Sequence, residues 1–259
     1  MEYLEIDTDE RGVTTLTLNR AENYNALNRA FLDELTQCVE QLTEDTRVLV
    51  IRANGKHFCA GADINWMKDS VKLSSEENIE DAMAFSNMLN AINSFPRATV
   101  ARIHGAALGG GTGLACCCDI VIAGDSARFA FSEVKLGIIP ATISPYSIAA
   151  IGPRAARRYF LTGEQINAPD AMRIGLVHDV CTESELDEQV EKHVKALLSA
   201  SAKAQCAAKD LIRDVAGRNI DLNLREGLAS RLADIRATSD AQEGLGAFLE
   251  KRPANWSVD

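Results

Sequence analysis

"GAALGGGTGLACCCD", residues 105–119, sets glycines at 109, 110, 111 and 113 directly after the strand-like "TVARIHG" (99–105) and ahead of an apolar run that ends at Asp119. Glycine gives up backbone order that another residue would keep, so such a cluster marks a place where a ligand or another backbone comes close. A phosphate and a carbonyl oxygen are the two ligands to weigh. The Walker pattern fails, because no Lys follows Gly109, Gly110, Gly111 or Gly113. The dinucleotide pattern G-x-G-x-x-G fails as well, with Leu114 and Cys116 standing where its third Gly belongs. What remains is a strand, a tight turn and a helix start, which aims unpaired N–H groups and the positive helix end at one spot. Such a spot suits an oxygen that gains negative charge during a reaction.

Outward from this turn the chain alternates strand and helix patterns. "GVTTLTLNR" (12–20) and "RVLVIRANG" (47–55) read as strands. Between them Leu27, Phe31, Leu35, Val39 and Leu42 recur at helical spacing within the stretch 27–45. A second helix pattern covers 77–95, and "DIVIAG" (119–124) reads as another strand. The order implies an α/β fold. Beyond about Pro169 strand signals fade, and helical stripes follow at 184–200, 202–217, 222–237 and 241–251. The expected division is a core over 1–195 and a helical region over 196–259.

A second small-residue turn, "GKHFCAGADINWM" (55–67), follows the strand that ends near Ala53. Two such turns after neighbouring strands match an oxyanion hole, which commonly takes its two donors from separate backbone segments.

Composition narrows the function. A formal net charge of -10 over 259 residues, with no basic run, argues against a nucleic-acid partner. The acidic start "MEYLEIDTDERG" is unlike a signal or transit peptide, and the weakly polar stretch 105–118 is too short and glycine-rich to span a bilayer, so a cytoplasmic protein with no membrane partner is expected. Seven cysteines, three of them consecutive at 116–118, lack the pairing of a zinc site, and no metal is expected. They read as small core hydrophobes. His57 and Cys59, two apart in one turn, are a poor nucleophilic pair.

The chain resembles the crotonase superfamily of enoyl-CoA hydratases and isomerases in five segments in order: "LNRAENYNALN" (18–28), "HFCAGADI" (57–64), "HGAALGGGTGLACCCDIVIA" (104–123), "FAFSEVKLGIIPA" (129–141) and "GAFLEKRPANW" (246–256). The resemblance implies a spiral of ββα units, a helical C-terminal trimerisation region giving a homotrimer or dimer of trimers, and an acyl-CoA substrate whose coenzyme A is part of the substrate rather than a cofactor. It implies that the N–H groups of Ala62 and Gly110 form the oxyanion hole. Coenzyme A is expected along Asn23, Tyr24 and Ala26 and against Ala60, Asp63 and Ile64, with Phe248 and Lys251 reaching a CoA from a C-terminal helix. Asp63 is expected to fix the backbone of its turn, and Asp119 to anchor one.

Family hydratases usually employ two glutamates around one water, at positions matching 113 and 133. Glu133 is present and is the expected acid/base; position 113 is Gly. Three readings follow. A hydratase would replace the absent group by water, a hydroxyl or a substrate carboxylate, and Thr142, Ser144 and Tyr146 are the hydroxyl candidates. A delta-3,delta-2-enoyl-CoA isomerase needs only one carboxylate to move a proton. A non-catalytic or RNA-binding relative is the third, opposed by the net charge and the retained Glu133. The segment 141–146 is similar to bacterial 3-methylglutaconyl-CoA hydratases of leucine and acyclic-terpene degradation, which favours hydration of a short, branched, acidic enoyl-CoA.

Overall fold

The computed structural model describes residues 1–42 and 45–257, and the chain forms two compact units, 1–192 and 193–259. In the first, β1 (Leu4–Thr8) and β2 (Val13–Leu18) pair antiparallel. The chain then crosses through α1 (Arg29–Glu40) to β3 (Val48–Ala53), which runs parallel to β2 with Leu16 opposite Ile51. Asn28 starts α1 by accepting the Phe31 N–H at 2.8 Å, so the helix begins after Leu27. The expected stretch continued to Asp45; α1 ends at Glu40, and Thr43 and Glu44 lie outside the described residues. Phe31, Leu32, Leu35, Cys38 and Val39 are its buried stripe.

Next come α2 (Ile64–Ser70) and α3 (Ser75–Asn93), the latter opened by a reciprocal Ser74–Glu77 capping box, and then β4 (Ala98–Ile103), parallel to β3. At Gly105 the chain leaves this sheet. It forms β5 (Ala106–Leu108) of a second sheet, turns through the glycines into α4 (Gly110–Cys116), and returns as β6 (Ile120–Gly124) beside β4. β7 (Arg128–Ala130) then pairs with β5, repeating the step between sheets. This is the expected spiral of ββα turns.

α5 (Ser144–Thr162) fills the long segment after Glu133 and is broken at Gly152, whose φ of 70° and ψ of 160° precede Pro153. β8 (Gln165–Asn167), α6 (Ala168–Arg173), β9 (Asp179–Cys181) and α7 (Leu186–Leu198) complete the unit, and α7 runs across the boundary. β9 joins the edge of the large sheet, whose order is β1-β2-β3-β4-β6-β9, so strand structure extends past the region where the strand signal faded. Strands buried on both faces account for the unbroken apolar run of β3.

The second unit contains α8 (Ala202–Val215), α9 (Leu222–Arg236) and α10 (Ser239–Glu250), capped at their starts by Ser201, Asp221 and Thr238. Among the described residues no helix is long and apolar enough to cross a membrane.

Candidate active site

The two small-residue turns are stitched side by side. Cys59 N–H donates to Ala106 O at 3.0 Å and Leu108 N–H to Cys59 O at 2.9 Å, so residues near Cys59 run as an extra edge beside β5. On the opposite edge Leu27 N–H donates to Gly61 O at 2.7 Å and Asp63 N–H to Leu27 O at 2.8 Å. This parallel bridge leaves out the N–H of Ala62, which has no acceptor among the described residues. Gly61, with φ of 95°, permits the approach: a Cβ there would lie 2.9 Å from Leu108 O.

Gly109 caps α4 with φ 49° and ψ -116°, a conformation open to glycine alone, and Gly110 is the first helical residue. Its N–H therefore has no intrahelical acceptor. Thr112 pins the turn from beneath, its hydroxyl donating to Ala107 O at 2.7 Å and reaching Ala130 O at 3.1 Å.

Ala62 and Gly110 line one cavity of about 270 Å³ together with Ala60, Glu133, Thr142 and Ile143. Apart from Ser132, its remaining wall is apolar, built from residues such as Leu27, Trp66, Met67, Phe85, Leu136 and Ile138. Glu133 opens a short 3-10 turn after β7 and is the only ionisable side chain among the described residues of the lining. Its Oε2 is buried and has no hydrogen-bond partner among the described residues. Burial pushes the Glu133 carboxyl above the ordinary value of 4.5, opposed only by its own backbone N–H.

Gly113 does not itself line the cavity; it packs against Ile143, which does. A Cβ on it would collide with Ile143 Cγ2 and stand 2.7 Å from Ile143 Cβ, so the room a carboxylate at 113 would need belongs to Ile143. Of the three hydroxyl candidates only Thr142 reaches the lining. Ser144 Oγ donates to Ala141 O at 2.8 Å, and Tyr146 is half-buried against the core; neither lines the cavity.

The expected CoA residues gather around the same edge. Asn23 ends an exposed 3-10 turn, and Tyr24, with φ of 54° and 52% exposure, sets its ring 5.4 Å from that of His57. Tyr24 O accepts the Ala60 N–H at 3.0 Å. Ala26 is buried, its carbonyl accepting from Arg20 at 2.8 Å, whereas Ile64 is exposed at the start of α2. Asp63 caps α2 through Asn65 and Trp66 N–H and pairs with Arg20 at 2.8 Å. Burial alone would raise its carboxyl, but Arg20 and the two backbone donors outweigh it and hold the group below the ordinary value of 3.8. Phe248 and Lys251 belong to the other unit, at the end of α10, where Phe248 is exposed.

Arg20 and Asn25 are structural members of this edge that sequence reasoning did not single out. Buried Asn25 accepts Arg20 N–H at 2.8 Å and donates to Asn54 O and His57 O at 2.8 and 2.9 Å, tying the segment 20–25 to the turn that begins at Gly55. Phe85, from α3, and Ile143, just before α5, are two of the apolar wall residues that sequence reasoning also left out. Cys59 is fully buried, which pushes its thiol up to about 12 and leaves it inert beside His57. Asp119 anchors β4, accepting the N–H and hydroxyl of Thr99 at 2.8 and 2.9 Å.

Residues 8–258 match the family described as enoyl-CoA hydratase/isomerase. The chain belongs to the enoyl-CoA hydratase/isomerase family. A crotonyl-CoA hydratase of Syntrophomonas wolfei is 35% identical over 95% of this chain and 95% of its own length. A 2,3-dehydroadipyl-CoA hydratase of Escherichia coli K12 is 35% identical over 94% of each chain. The crystal structure of an enoyl-CoA hydratase from Shewanella pealeana superposes with a TM-score of 0.94 at 40% identity, covering 98% of this chain and 96% of that one. Within the enoyl-CoA hydratase/isomerase family the ββα spiral and the helical C-terminal region are thus accounted for, and the chain is an enzyme of that family.

Proposed function

We propose that the protein hydrates a short, branched enoyl-CoA thioester with Glu133 as its single acid/base and the N–H groups of Ala62 and Gly110 as the oxyanion hole. The observation that carries the reading is the unpartnered Glu133 Oε2 in a cavity that Ala62 and Gly110 also line. Ionised Glu133 takes a proton from water as the oxygen adds to the β-carbon, and the electron pair of the double bond moves into the thioester carbonyl. The resulting enolate oxygen accepts from Ala62 and Gly110, whose donors are fixed before the reaction begins. Glu133 then returns the proton to the α-carbon, and the carbonyl re-forms. One carboxylate performing both transfers places H and OH on the same face of the double bond.

The similarity of residues 141–146 supports an acidic acyl group of the 3-methylglutaconyl type, and the name of the Escherichia coli relative supports an acidic acyl group without the branch. The wall supports an apolar one, because the described lining offers a substrate carboxylate no cation and already contains Glu133. We take the apolar branched acyl group as the better fit. The same apolar wall and single carboxylate favour a second reading, a delta-3,delta-2-enoyl-CoA isomerase in which Glu133 carries a proton from one carbon to another without water.

Four thioesters separate these readings: crotonyl-CoA, 3-methylcrotonyl-CoA, 3-methylglutaconyl-CoA and trans-3-hexenoyl-CoA. The expected result is water added at the β-carbon, with kcat/KM higher on 3-methylcrotonyl-CoA than on its carboxylated counterpart. The reverse order restores the acidic substrate, and faster conversion of trans-3-hexenoyl-CoA to the 2-enoyl isomer establishes the isomerase.

Assembly belongs to the same proposal. The α8–α9 pair exposes an apolar groove lined by Leu211, Ile212, Leu228 and Leu232, which supports a homotrimer or dimer of trimers formed through the C-terminal helices. Sedimentation of the purified chain tests it, and a monomer at micromolar concentration removes it.

A further inference from the structure

Ile143 stands at the start of α5 with 1% exposure, lining the cavity that holds Glu133 and covering the Cα of Gly113 on α4. The contact cannot be relieved by a change of rotamer. Ile143 Cβ itself would lie 2.7 Å from a Cβ at 113, and a β-branched side chain has little χ1 freedom to retreat. Its backbone is held as well, since Ile143 O accepts Ser147 N–H at 3.0 Å in the first turn of α5. A small residue on α4 and a large one at the start of α5 therefore form one fitted wall.

We infer that Ile143 is the specificity-determining residue of this site, its side chain limiting the size of the acyl branch and keeping residue 113 from projecting anything beyond hydrogen toward the cavity. The inference rests on the acyl-thioester reading of the cavity. Removing atoms from Ile143 enlarges the space opposite Glu133, and a site that gains or loses single methylenes shifts its preference between substrates by about 10- to 200-fold per group.

Binding rather than turnover is the direct readout, so that it survives a wrong assignment of the reaction. Affinities of butyryl-CoA and 3-methylhexanoyl-CoA, both saturated, are measured by calorimetry on the full chain and on Ile143→Val and Ile143→Ala. The expected result is a stepwise shift of the affinity ratio toward the larger thioester, reaching about tenfold or more in Ile143→Ala. Ile143→Val, the milder change, reports the same direction should the alanine variant fold poorly. An unchanged ratio in folded variants, or no binding of either thioester by any of them, overturns the inference.

A second measurement checks the fitted wall itself. Gly113→Ala is expected to lower the melting temperature strongly in the parent and much less in an Ile143→Gly background, a helix-capping position where glycine is tolerated. Additive losses would show that Ile143 is not what closes position 113. The predicted shift between parent and variants, with no turnover of any enoyl-CoA by the parent, would sink the proposed reaction while leaving this wall in place.

Discussion

A Cβ on Gly109 would stand 3.2 Å from Glu133 Oε1, so the residue that caps α4 also forms the floor beneath the carboxylate. Backbone and acid/base group are fitted to one another at this point. Gly109→Ala has two effects, because the conformation at φ 49° and ψ -116° is strained for any side chain and because the methyl group crowds Oε1. Stability should fall by about 1–3 kcal/mol, the usual cost of such backbone strain. Enoyl-CoA turnover should fall further than that loss explains. Denaturant unfolding and steady-state kinetics on the same preparation check both, and wild-type kcat in the variant would separate Gly109 from the acid/base group.

Glu133→Gln keeps the shape of the side chain and removes its exchangeable proton. Loss of a positioned acid/base group lowers kcat by about 10²- to 10⁴-fold. The raised carboxyl pKa also fixes the direction of the pH effects. Folded Glu133 holds its proton to a higher pH than the unfolded chain does, so its contribution to stability is full below the ordinary value of 4.5 and is lost as pH rises through the raised one. Melting temperatures of parent and variant measured across that range should diverge in the variant's favour as pH increases. The acidic limb of kcat/KM in the parent should lie above the ordinary glutamate value.

Arg20 and Asp63 form an ion pair with only 12% and 9% of their side chains exposed. Arg20→Met leaves Asp63 charged and without its cation, and breaking a buried pair in this way costs about 3–5 kcal/mol. The sign with pH is opposite to that of Glu133. A carboxyl held below its ordinary value stabilises the fold above that value and loses the contribution as pH falls through the lowered one. Parent and variant should therefore converge in stability on acidification, as followed by urea unfolding. A gap that stays constant down to strongly acid pH would place the loss in packing rather than charge.

What the sequence disclosed follows from how local each feature is. The glycine turn was legible because its backbone demands glycine at Gly109, and the stripe of Phe31, Leu35 and Val39 because a helix repeats within one segment. Strands β5, β8 and β9 span three residues each and are too short to show a period; they exist through pairing with strands elsewhere in the chain. Helix α5 carries Gly152 and Pro153 in its interior, residues that oppose a continuous helix and break this one at a single point. In the site, Glu133 was reached through the family resemblance, but nothing near Gly113 announces Ile143. Their contact is set by the packing of α4 against α5 rather than by neighbours in sequence; of the hydroxyl candidates Thr142, Ser144 and Tyr146, only Thr142 lines the cavity.

Lys251 ends α10 in the left-handed region, with φ 54° and ψ 39°, a conformation that costs a side-chain-bearing residue about 1–2 kcal/mol. Glycine would fit that turn without the cost, and a lysine there presents its ammonium group from a rigid cap. The resemblance assigns it to a CoA, whose phosphates such a cation would meet. Lys251→Gly should then raise the melting temperature and raise KM for an enoyl-CoA by about tenfold, the worth of one charge-assisted hydrogen bond, with kcat unchanged because the contact is the same in ground and transition states. Lys251→Asn provides the control: asparagine tolerates the left-handed turn and lacks the charge, so it should reproduce the KM effect. Unchanged KM in both variants would remove Lys251 from CoA binding and leave its left-handed turn as a feature of the helix cap alone.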